Sequence, residues 1–164
     1  METKMSSSQR FLSRKVESHD LILLHVVSSP SPQVLRAKVE RIYSVRRGID
    51  LKCLEKEIEF VRSPGSWGDV ALEVGERALV FISIVSDKYY EDAWRGHMIV
   101  EEKNGNLFAI YQHKELWLCE DVPEMIRACS EQDTKRPFAT AIRFEVLEDY
   151  LIDLIASTDS GRLR

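Results

Sequence analysis

The stretch LEVGERALVFIS, residues 72–83, narrows the possible folds more than any other part of this chain. Charged residues crowd a glycine, and from Ala78 to Val85 the side chains are then apolar on both alternations except at Ser83. A strand with one buried face alternates apolar and polar side chains, whereas one that is apolar on both needs a layer against each. Residues 78–85 are therefore expected to form a strand covered by a second sheet layer or a helix. Gly75, between Val74 and Glu76, suits a turn that needs positive φ.

The rest of the chain supplies the neighbours of such a strand. Phe11, Leu12 and Val16 recur at helical spacing in SQRFLSRKVESHD, which predicts a short amphipathic helix from Ser8. LILLHVV (21–27) reads as a buried strand ended by the breaker SSPSP (28–32). In QVLRAKVERIYSV (33–45), Leu35, Ala37, Val39, Tyr43 and Val45 are expected to point one way and Arg36, Lys38, Glu40 and Ser44 the other. Arg41 and Ile42 break the two series, which points to a bulge or a sheet edge there. EIEFV (57–61) alternates again, and SPGSWGD (63–69) is a turn cluster. HMIVEE (97–102), KNGN and LFAIYQ (107–112) read as a hairpin turning at Asn104-Gly105, and ELWL (115–118) as one more strand. Residues 141–156 predict a helix with Ile142, Val146, Leu147, Tyr150, Leu151, Leu154 and Ile155 on its docking face. Arg143, Glu148, Asp149 and Asp153 fall largely on the other face.

The expected class is α+β and mainly β. It is a small OB-like barrel or curled antiparallel sheet with a short N-terminal helix and a C-terminal amphipathic helix. One globular domain over residues 8–158 is expected, with residues 1–7 disordered and 159–164 frayed.

With those elements placed, SHDLILLHVV, VLRAKVERIYSVRRG and LEVGERALVFIS resemble the netrin-like, or tissue-inhibitor-of-metalloproteinases-like, variety of OB-fold barrel over about residues 10–85. In that family a short helix precedes the first strand, and a glycine turn leads into an apolar one. The resemblance implies the barrel and no site. Those inhibitors present an N-terminal cysteine to a protease zinc and carry disulfides; here Met1 comes first and no early cysteine pair follows.

Composition and motifs restrict the function. Cys53, Cys119 and Cys129 are odd in number and unpatterned, which fits reduced thiols in a cytoplasmic protein. No apolar run approaches a membrane span, and residues 1–8 lack the apolar core of a secretory signal. His19, His25, His97 and His113 share no metal-ligand spacing, and no Cys-x-x-Cys occurs. Acidic neighbours make Cys119 a poor nucleophile, and no lysine-hydroxyl pair follows Gly65 and Gly68 to form a phosphate loop. No cofactor, no metal and no catalytic residue is expected, and an enzyme has no motif to support it.

Charge is distributed unevenly. Residues 1–82 carry 13 Lys+Arg against 11 Asp+Glu, a balance of +2; residues 83–164 carry 10 against 16, a balance of −6. Arg36, Lys38, Arg41, Tyr43, Arg46 and Arg47 offer only a sparse version of the basic, aromatic face that binds single strands. The candidate binding surface lies instead in DKYYEDAWRGH (87–97), read as a loop between strands, and KELWLCEDVPE (114–124). Its anchors are Tyr89, Tyr90, Trp94 and Trp117, and its steering acids are Glu91, Asp92, Glu120 and Asp121. The expected function is a non-enzymatic binding or inhibitory module with a basic protein partner, and no nucleic acid or membrane. In concrete form it is a bacterial immunity protein that neutralises a basic toxin such as a nuclease. The alternatives are an OB-type binder of nucleic acid or oligosaccharide, and a small enzyme.

Overall fold

The computed structural model describes residues 7–63, 71–93, 96–111, 124–136 and 139–162, with side chains described between Leu12 and Thr158. Helix α1 (Ser7–Ser18) leads into β1 (Asp20–Ser31) and β2 (Val34–Ser44). Next come β3 (Glu57–Val61), β4 (Arg77–Val85) and β5 (Lys88–Glu91). These five strands close a barrel in the order β1-β2-β3-β5-β4-β1, antiparallel throughout except where β3 runs parallel to β5 at Phe60↔Tyr89 and Val61↔Tyr90. A small closed five-stranded barrel is compatible with an OB-like fold.

The outer edge of β4 is shared by two strands. Ile82–Val85 pair with β5, and Arg77–Val80 with β6 (His97–Lys103). From β6 the sheet continues through β7 (Asn106–Tyr111) to β9 (Thr140–Arg143) and β8 (Ser130–Gln132). Helices α2 (Glu124–Ala128) and α3 (Phe144–Arg162) complete the described elements. None of the described helices is long and apolar enough to cross a membrane.

The double apolar parity of β4 has a direct cause. Ala78, Val80 and Ile82 face the barrel interior with Ile22, Leu24, Leu35, Val39 and Phe60. Leu79 and Phe81 face a second core under the helices, with Leu12, Val16, Leu147, Leu151 and Ile155. Each Val, Leu, Ile or Phe among them contributes about 1.5–3 kcal/mol relative to exposure. β1 divides in the same way, sending Leu21 and Leu23 to the helices and Ile22, Leu24 and Val26 to the barrel. The turn at Gly75 has φ +94°, and Asn104-Gly105 turns the β6–β7 hairpin with φ of 52° and 82°.

Several boundaries differ from the sequence reading. β1 runs through SSPSP to Ser31, because its ladder with β2 is irregular from Val26 to Ser31 and accommodates the donor that Pro30 lacks. The irregularity expected in β2 is two separate register shifts. Leu21↔Ser44 is followed by Ile22↔Ile42, and Leu23↔Arg41 by Leu24↔Val39, so Tyr43 and Glu40 are extra residues. As a result Tyr43 does not join Leu35 and Val39; it packs in the helix-side core, while Ile42 packs against the barrel core. Residues 140–143 are strand and α3 starts at Phe144, since Thr140–Arg143 pair with β7. The stretch 87–97 is not wholly a loop, because Lys88–Glu91 form β5. Most of SPGSWGD and all of ELWL lie outside the described residues.

Candidate functional site

Glu91 pairs with Ile82 and His97 with Val80, so on β4 only Phe81 lies between the pairings with β5 and with β6. Its carbonyl accepts from the Asp92 N–H at 2.9 Å, and its N–H donates to the Gly96 carbonyl at 2.8 Å. Side chains staple this junction from both sides. The Glu91 carboxylate and His97 Nδ1 lie 2.6 Å apart with both residues buried, and the other Glu91 oxygen accepts from the Ser63 N–H at 3.1 Å. Helix α1 adds Lys15, which pairs with Asp92, and His19, whose Nε2 is 3.7 Å from the same carboxylate. His19 meets the Phe81 ring edge-on, and Lys15 Nζ lies 5.6 Å from that ring's centroid. Burial, and then the neighbouring Lys15, holds the His19 imidazole below its ordinary pKa. Chemically this is a fastener, since a carboxylate and an imidazole sealed in the wall hold two strand ends together.

The residues singled out from sequence fall in different places. Tyr89 and Tyr90 are half-buried on β5, and Tyr89 packs against the barrel core. Burial, and then Cys53, raises the pKa of the Tyr89 phenol. Glu91 is 5% exposed, so it is not a rim charge; the reason is its bond to His97. Asp92 is partly buried and occupied by Lys15. Trp94, Trp117, Glu120 and Asp121 lie outside the described residues.

The outer wall of β2 and β3 is a neutral ladder. Arg36 stands opposite Glu59, with an ion pair at 2.5 Å, and Lys38 stands opposite Glu57. Arg41 and Tyr43 both bond the Glu148 carboxylate; burial, and then Glu148, raises the Tyr43 phenol well above its usual range. The backbone N–H groups of Arg46, Arg47 and Ile49 converge on the buried Asp20 carboxylate, which fixes the loop after β2.

Helix α3 presents the most one-sided charge. Its apolar face docks on α1, β2, β7 and β9. Glu145, Asp149 and Asp153 lie four residues apart on its exposed face, next to Ile152 at 45% exposure. Glu145 bonds Arg143 at 2.9 Å, and its carboxyl is held below the usual range first by its own backbone N–H and then by Arg143. Among the described residues Asp149 and Asp153 make no ion pair. The helical period already set these two acids apart from the docking face; their three-residue stripe becomes plain only once α3 starts at Phe144.

Compared with known proteins, the chain matches no family model, no curated protein and no solved structure.

Proposed function

We propose that this chain is a non-enzymatic binding module that acts in the cytoplasm and neutralises a basic protein. In its most concrete form it is an immunity protein that occupies a positively charged toxin domain such as a nuclease. The observation that carries the reading is the outer face of α3. Like charges at four-residue spacing destabilise a helix by about 0.2–0.5 kcal/mol per pair, yet Asp149 and Asp153, exposed and without an ion pair among the described residues, continue the row that the Arg143-bonded Glu145 begins. A basic surface laid against that row converts the repulsion into attraction and accelerates encounter. Ile152 beside it offers apolar contact. The free thiols Cys53 and Cys129 fit a reducing compartment.

The β2–β3 ladder weighs against nucleic acid as the ligand. Arg36 and Lys38 each face a carboxylate, which removes the positive groove that a phosphate backbone needs.

The test is retention from native-host lysate on immobilised wild type and on the Asp149→Lys/Asp153→Lys variant. A basic protein held in one-to-one ratio, released by salt and lost from the variant, is the expected result. If wild type retains no basic protein, or the two retain it equally, this reading fails.

A further inference from the structure

We draw no further inference here: the strongest candidate, the outer face of β3, β5 and β4, where the partly exposed Val61, Tyr90 and Ser83 lie in one cross-strand row beside the exposed Val85, is a sheet face for which nothing in the structure shows what covers it.

Discussion

Gly96 stands where the chain rejoins β4, and its lack of a side chain is a steric requirement. A Cβ built there would meet the Asp92 carbonyl oxygen at 2.2 Å and the Glu91 Cγ at 2.6 Å, and the first of these is backbone that cannot swing aside. Gly96→Ala should therefore cost at least about 2 kcal/mol, read as a lowered urea midpoint. Sequence alone gave no hint of this, because the clash arises only once Glu91 and His97 are stapled side by side. His19 makes a second prediction of the same grain. Its folded pKa lies below the unfolded value near 6.5, owing first to burial and then to Lys15, with Arg47 acting the same way and Asp20 opposing. Just below pH 6.5 the unfolded chain therefore binds a proton that the folded chain refuses. This contribution is present above that pH and lost as pH falls toward the folded pKa. Melting curves from pH 7.5 to 5 should show wild type losing stability on acidification, and His19→Gln should lose less. An unchanged slope in the variant would remove His19 as the cause.

At the scale of elements, β4 decides whether the molecule folds. Its two alternations serve two cores, so a single charge on either side has no route to water. Val80→Asp places a carboxylate among Ile22, Ile82 and Ile110 inside the barrel core. Burying it unpaired costs several kcal/mol, comparable with the whole 5–15 kcal/mol stability of a domain. The variant should be insoluble or melt without cooperativity, and a soluble, cooperatively melting Val80→Asp would show that the strand is not central. The same strand ends at Val85, where a charge meets solvent and should be tolerated. Elements with strong local pattern were legible: α1, the core of β1, β3, β4 and the β6–β7 hairpin. Short elements were not, for physical reasons. β5 is four residues, KYYE, held by partners on both sides, and β9 is a strand because β7 lies beside it. Propensity in a few residues is too small to oppose such tertiary pairing.

For the whole molecule, closure through the parallel β3–β5 contact turns a meander into a barrel, and the addition of β6, β7, β9 and β8 gives α1 and α3 a wall to cover. That leaves the β2–β3 ladder as an outer wall without a net positive field. Fluorescence anisotropy with single-stranded DNA and RNA should accordingly show no binding tighter than about 1 µM at physiological salt. Submicromolar binding that falls steeply with salt would reverse the assignment of this wall.

The apolar alternation in LEVGERALVFIS by itself determined that one strand would be buried on both faces, because parity is a local property of a pleated chain. The glycine turns, the break in β2 and the acidic bias of the C-terminal half were equally local. Which acids reach solvent was not. Glu91 and Asp92 look like surface charges beside two tyrosines, yet His97 and Lys15 draw them inward, whereas Asp149 and Asp153 remain outside. A carboxylate's exposure depends on the partner it meets across the fold, and that meeting is set by barrel closure and helix docking over long sequence separations.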